Sequence, residues 1–429
     1  MQKRNLNGLA AVTILAASIA SYGATVLAAD GPVVEIQVVS NFTSDVARGK
    51  VLDELIKEFN AQHQGEYAVV SKAQPDWPTL QQQLRSLISA GKTPDVFIYN
   101  FNPSDLSREK SGQLMDWSTT LNDDAVWKGR FQENDLRKLT IDGKLVGIPA
   151  DQSPAFVYYN MNLLKEAGIN SAPKTWDEFL ADGAKLKTRG VAALAMMTAD
   201  DAWHTMNAFS SIAASAGGAD AFAAGMSLDN PAIVTAAEDT KKLFALSTPD
   251  ALGGNYSTSS SAFLNGQAAA VIDGPWLISS IQGTMKDPSA VEVAAAPTFG
   301  DGKLAPGSVI TDSLNVWGAA KQSDPKKAAG VVAWMKFFTS EASAAEMAVD
   351  DQYPMAVRTA LSDADAKRAP SQMAEVLKLY NAAPNRIVQL QRGLTAAGQA
   401  KLPSLLESLA LGQTSPQEFA ASLQKDDTQ

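Results

Sequence analysis

The sequence predicts an α/β protein with parallel sheets flanked by helices, on three observations. β-prone runs and helix-periodic runs alternate over residues 33–99. The 429 residues leave room for two to three domains. Hydrophobic residues make up 45% and charged residues 19%, the composition of a packed core rather than of a disordered chain.

Met1 to Ala29 reads as a secretory signal peptide. Lys3 and Arg4 form its charged start, Leu9–Ala20 its apolar stretch, and Val26-Leu27-Ala28 supplies small residues for cleavage after Ala28 or Ala29. A membrane anchor is the alternative, but the apolar stretch is short and broken by Ser18, Ser21 and Gly23. Val33–Ser40 is a buried-strand candidate. A helix follows over Asp45–Asn60, with Val51, Leu55 and Phe59 on one face. Tyr67–Ser71 is a second strand. Pro78 stands where a helix can start, and Leu80, Leu84, Leu87 and Ile88 give its apolar stripe. Asp95–Tyr99 is a third strand, so right-handed crossovers are expected.

Leu145, Val146 and Ile148 form a short apolar run that Pro149 stops, since proline has no amide hydrogen to donate. Ala155–Tyr159 is β-prone, and its two tyrosines point to opposite faces. Met161–Ala167 is a short helix closed by Gly168. Thr175-Trp176-Asp177-Glu178 is a capping box that opens the next helix. Val191–Met197, Ala268–Ile272 and Val291–Ala296 are further strands, and Ala208–Ala216 and Pro231–Leu246 are helices. Asp301–Ile310 is rich in glycine, proline and polar residues, as a connection should be. Asp324-Pro325 caps a helix through Phe338, and the tail from Ser371 is helical, with a second capping box at Ser415–Glu418.

The segment Gly143–Leu180 resembles the extracellular solute-binding proteins of ABC importers, in the carbohydrate-binding, maltose-binding-protein-like group. The matching residues are Gly143, Lys144, Gly147, Pro149, Tyr159, Asn160, Ala167, Gly168, Pro173 and Thr175–Glu178; Gly266–Trp276 is similar to a second stretch of that family. The resemblance covers nearly all of the chain after the leader. It implies a two-lobed periplasmic-binding-protein fold of type II, each lobe a mainly parallel sheet flanked by helices, joined by two or three crossing segments. The expected lobes are residues 30–149 with 311–352, and 150–310 with 353–429. It also implies a carbohydrate ligand held between the lobes, a membrane permease as partner, no cofactor and no catalysis.

In open α/β sheets ligands sit beyond the carboxyl ends of the strands. That rule selects Asn41, Phe42 and Thr43 after the first strand, Trp77 after the second and Asn100 after the third. Asp151 and Gln152 follow the first crossing, and Asp273 and Trp276 the Ala268 strand. Asp312 and Ser313 stand at the second crossing, with Tyr353 and Arg358 at a third near Gln352–Pro354. Trp203 joins them because an aromatic at that helix start often faces the cleft in the family. Asp, Asn, Gln and Arg satisfy sugar hydroxyls, and Trp and Tyr offer flat platforms for sugar faces.

Each has a structural alternative. Trp77 can serve as a hydrophobic staple, Trp276 can pack between helices, and Arg358 can bridge the lobes; Trp176 and Trp334 fall in helical patterns and read as core. Asp312 replaces a glycine usual in the family, and Tyr353 another.

The formal net charge of −10 disfavours nucleic acid and anionic membrane surfaces as partners. The absence of cysteine excludes disulfides, thiolate metal sites and a lipid-modified cysteine, so a protein free in the periplasm fits best; a monomer is expected. The same fold binding a polyamine or a phosphorylated polyol stays open. A phosphate wants several arginines or a glycine-rich helix start; among the candidates there is only Arg358, with Arg48 as an outlier near the first helix. A secreted glycosidase with paired carboxylates is a third reading; GxSxG is absent, and His63 and His204 are the only imidazoles.

Overall fold

A computed structural model describes residues 32–100, 112–151, 153–223, 225–311 and 315–427. The leader, Gln152, Asp312 and Ser313 lie outside the described residues, as does the side chain of Asn100.

Two sheets organise the fold. The first joins β1 (Val34–Ser40), β2 (Tyr67–Ala73), β3 (Val96–Asn100), a hairpin β4 (Thr140–Ile141) and β5 (Lys144–Leu145) set apart from it, and β6 (Ile148–Pro149) at its edge. The second is built from β7 (Pro154–Asn160), β8 (Ala192–Ala195), β9 (Ala268–Asp273), β10 (Val291–Ala294) and β11 (Val309–Thr311). The chain then returns to the first sheet as β12 (Asn315–Ala319) and ends the second with β13 (Arg386–Val388). The orders are β2-β1-β3-β12-β6 and β13-β11-β7-β9-β8, with β10 on β7.

The expectation of mainly parallel sheets is corrected in part. β1 pairs with β2 and β3 in parallel, but β12 runs antiparallel to both β3 and β6. In the second sheet β7 is antiparallel to β9, β10 and β11, while β8–β9 and β11–β13 are parallel. The physical cause is the crossing: β7 and β12 enter from the other lobe, without the helical crossover that makes neighbours parallel. Pro149 is tolerated because β6 is an edge strand.

Each sheet has its own core. The first contains Ile36, Leu55, Phe97, Trp317, Trp334 and Met347; the second lobe is filled by Val157, Trp176, Phe209 and Leu406 on one side of its sheet and by Phe156, Tyr158 and Val271 on the other. Trp176 and Trp334 are fully buried, as their helical spacing predicts. Tyr353, Met355 and Val357 pack in the first lobe's core, and Leu361 packs in the second's, so the last passage between lobes comes later than Gln352–Pro354.

Local signals set many helix ends. The capping box at Thr175 forms, with Glu178 N donating to Thr175 Oγ1 at 3.1 Å and Glu178 Oε2 accepting from Thr175 N. Ser415 and Glu418 pair in the same way. Asp76 caps the Trp77–Ser89 helix through Thr79 N. Among the described residues, no helix is long and apolar enough to cross a membrane.

Candidate functional site

On the second lobe, three half-buried rings form a wall at the carboxyl ends of β8 and β9. Trp203 stacks on Tyr256 (centroids 5.5 Å, planes 23° apart) and meets Trp276 edge-on at 5.7 Å. β9 ends at Asp273, and Gly274-Pro275 turns the chain so that Trp276 stands at the start of the Leu277–Thr284 helix. Trp203 opens the Trp203–Gly217 helix after Asp200, Asp201 and Ala202, all at positive φ (52°, 59° and 52°). Non-glycine residues pay roughly 1–2 kcal/mol each for that conformation. The turn is tied down by Asp200 Oδ2, which accepts from Tyr256 N at 3.0 Å, so the strained turn and the second ring of the wall are one unit.

Behind the rings lies a buried polar row. Asp273, fully enclosed, accepts at Oδ1 from Gly274 N at 2.6 Å, and its Oδ2 lies 3.3 Å from His204 Nε2. His204 Nδ1 faces Ser259 Oγ at 2.8 Å. Tyr158 Oη donates to the Gly274 carbonyl at 3.1 Å, and burial together with the nearby Asp273 charge pushes its hydroxyl far above the ordinary tyrosine range. Burial raises Tyr256 likewise. Asp273 therefore braces the wall from within. Tyr158 and Tyr159 are both buried, so neither reaches the cleft.

The first lobe contributes a different cluster. Phe42, expected as a platform, is buried and packs edge-on against Trp317 at 5.8 Å and Tyr353 at 5.6 Å. The Arg48 guanidinium lies 4.1 Å from the Tyr353 ring centre and 5.2 Å from that of Phe42. Its Nε donates to Asp351 at 2.6 Å. Tyr353 Oη donates a very short hydrogen bond to Asp151 Oδ2, which also accepts from Asn315 Nδ2 at 2.7 Å. Burial raises the Asp151 carboxyl above its ordinary range, against the lowering effects of Tyr353, Asn315 and Arg48. Asp151 and Tyr353 are thus brought together, not as an open cleft rim but as a buried joint. Backbone bonds complete it: Ala150 N donates to Asn315 O, and Ala356 N to Ala150 O.

The remaining candidates separate. Asn41 and Thr43 stay half-buried at the end of β1, and Trp77 is half-buried against the first core. Arg358 is exposed elsewhere on the first lobe; its N donates to Arg130 O, and it borders a surface hollow with Val126 and Glu341. The strand-end rule fails there because Arg358 follows an irregular segment, not a strand. Sequence reasoning missed Tyr256 and Asn315, and weighed Arg48 only as an outlying arginine for a phosphate. Tyr256 begins a helix capped by Asn255, the same kind of position that drew attention to Trp203; Asn315 carried no local signal.

A cavity of about 730 Å³ lies between the lobes near the β13 edge, lined by Gln132, Asp135 and Lys138 on one side and Tyr380 and Arg386 on the other; its lining reaches the wall's first ring through Gln389, whose Nε2 donates to Trp203 O at 3.3 Å. Among the described residues, no cluster of histidines and carboxylates could hold a metal ion.

The chain is 32% identical over 151 residues to a binding protein of Brucella abortus, a match spanning 33% of each chain. It is thus matched over only a third of that relative's length. It is 25% identical over 322 residues to the sn-glycerol-3-phosphate-binding periplasmic protein of Yersinia pestis, covering 70% of this chain and 69% of that one. Among solved structures, a chitin oligosaccharide binding protein superposes with a TM-score of 0.76 at 23% identity, covering 93% of this chain and 99% of the other. A maltose-bound protein of T. maritima follows with a TM-score of 0.73 at 20% identity, covering 92% and 99%. Residues 43–345 match the family model described as bacterial extracellular solute-binding protein, and the chain belongs to that family.

Proposed function

We propose that this protein is the periplasmic substrate-binding component of an ABC importer and that it captures a neutral carbohydrate between its lobes. The observation that carries the proposal is the wall of Trp203, Tyr256 and Trp276 braced by the buried Asp273. Such rings offer flat apolar faces to the C–H side of a sugar, while amides and carboxylates take its hydroxyls. No group in this arrangement needs to react. A ligand touching both lobes favours the closed state by its extra affinity for that state, and the closed form is what a permease would recognise. The leader Met1–Ala29 would direct export, with the mature chain acting as a monomer.

A phosphorylated polyol is the second reading, favoured by the glycerol-phosphate-binding relative. The geometry speaks against it: the arginines nearby are already paired, Arg392 with Asp201 at 3.7 Å in the turn before Trp203, and Arg48 with Asp351 and two rings. Calorimetry and thermal shift with mono- and oligosaccharides and with sn-glycerol 3-phosphate, each at low and high salt, separate the two. A neutral saccharide should bind with little salt dependence. At about 100 times its dissociation constant it should stabilise the fold by roughly 2.7 kcal/mol. A response to glycerol phosphate alone, weakening with salt, would overturn the carbohydrate reading.

A further inference from the structure

Asn315 is the first residue of β12 and lies beside Asn100, the last of β3. Because β12 runs antiparallel to β3, its beginning sits on the rim where β3 ends, the side on which ligands bind. Its amide has no freedom of orientation. The Asp151 carboxylate can only accept while ionised, so Nδ2 must face it, and the 2.7 Å bond fixes that direction. The carbonyl oxygen Oδ1 must then face away. It is enclosed and has no hydrogen-bond partner among the described residues. Asn41 Oδ1, at the end of β1, is in the same condition. Two acceptors on one rim, neither given a donor by the described residues, call for a ligand that brings hydrogen, since an unpaired buried polar atom costs about 1–3 kcal/mol.

We propose that Asn315 is a specificity-determining residue, its carbonyl oxygen aimed by Asp151 and accepting a hydrogen bond from one ligand hydroxyl. Asp151 is a positioning residue in this scheme: buried, held by Tyr353, and acting on the ligand through Asn315. The inference rests on the carbohydrate reading above and adds which atom selects the sugar. It follows that Asp151→Asn should change specificity rather than abolish binding. An amide at 151 can donate as well as accept, so Asn315 would be free to flip and present its NH2 to the ligand.

The test uses whichever of maltose, xylan fragments and chitin oligosaccharides binds the wild-type protein best, together with its set of singly deoxygenated analogues. Calorimetry should show one analogue that the wild type rejects about tenfold or more. Asn315→Leu should lose a similar factor for the parent sugar and no longer distinguish it from that analogue, while unfolding without sugar shifts by only a few degrees. Asp151→Asn should fold and change the ranking of the analogues. Asn315→Leu binding the parent as the wild type does, or keeping the full discrimination, would overturn the proposal. So would an Asp151→Asn protein that folds and keeps the wild-type ranking. No binding of any saccharide by the wild type would instead remove the functional reading, and this inference with it.

Discussion

At the scale of single residues, two groups of side chains do separate work. Trp203 and Trp276 are only partly buried, so each keeps a face for a partner. Replacing either by alanine should weaken saccharide binding about tenfold, the order expected from losing one aromatic contact of 0.5–1.5 kcal/mol plus its area. Thermal unfolding without ligand should change far less. Asp151 behaves oppositely. Its folded-state carboxyl titrates above its ordinary value because it is buried. The folded chain therefore holds a proton that the unfolded chain has lost, and stability falls as pH rises from about 4 toward that raised value. Asp351, raised by burial against the pull of Arg48, has the same sign. Asp151→Asn should accordingly gain in melting temperature over the wild type as pH rises through this window, leaving the slope due to Asp351; a constant difference across pH would contradict the assignment. Trp276 was legible in the sequence because a glycine-proline pair after a strand forces a turn at the strand's end. Phe42 and Tyr353 were legible as residues of the right level but not of the right direction. A strand-end rule gives height in the fold; whether a ring turns inward depends on neighbours such as Trp317 and Arg48 that are distant in sequence.

At the scale of elements, caps and periodicity decided most of what could be read. Thr175→Ala should destabilise the second lobe by about 1 kcal/mol, measurable by urea unfolding, because it removes one half of a formed capping box. The Ala47–Gln62 helix has a subtler task. A Cβ on Gly49 would lie 2.0 Å from the Thr43 carbonyl oxygen, so this glycine lets the helix close on the Asn41–Thr43 loop. Gly49→Ala should push that loop away, cost about 1–3 kcal/mol as overpacking does, and lower saccharide affinity together with stability. A variant with unchanged affinity would detach the loop from the site. β13 escaped the sequence because three residues are too few to show alternation. Its existence depends on β11 lying alongside. The turn at Asp200–Ala202 was equally hidden, since aspartates in left-handed geometry look like any polar loop until the tyrosine amide that holds them is seen.

At the scale of the whole molecule, two sheets with separate cores are linked by passages that meet at one buried joint. Ala150–Asp151, Asn315 and Tyr353–Ala356 lie side by side there, tied by backbone bonds and by one shared carboxylate. The proposed hinge closure would turn the lobes as units about this joint while their interiors stay rigid. The α/β class was readable because strand and helix periods alternate over residues 33–99, and the two lobes because Gly143–Leu180 resembles a family built that way. Antiparallel pairing by the crossing strands was not, since direction is a property of the path between lobes. The most direct test of the account is small-angle X-ray scattering of the mature protein with and without its best-binding neutral saccharide. A smaller radius of gyration with the sugar, absent in a Trp203→Ala, Trp276→Ala double variant, is the predicted result. Superimposable curves for the wild type, at sugar concentrations that saturate binding by calorimetry, would contradict it.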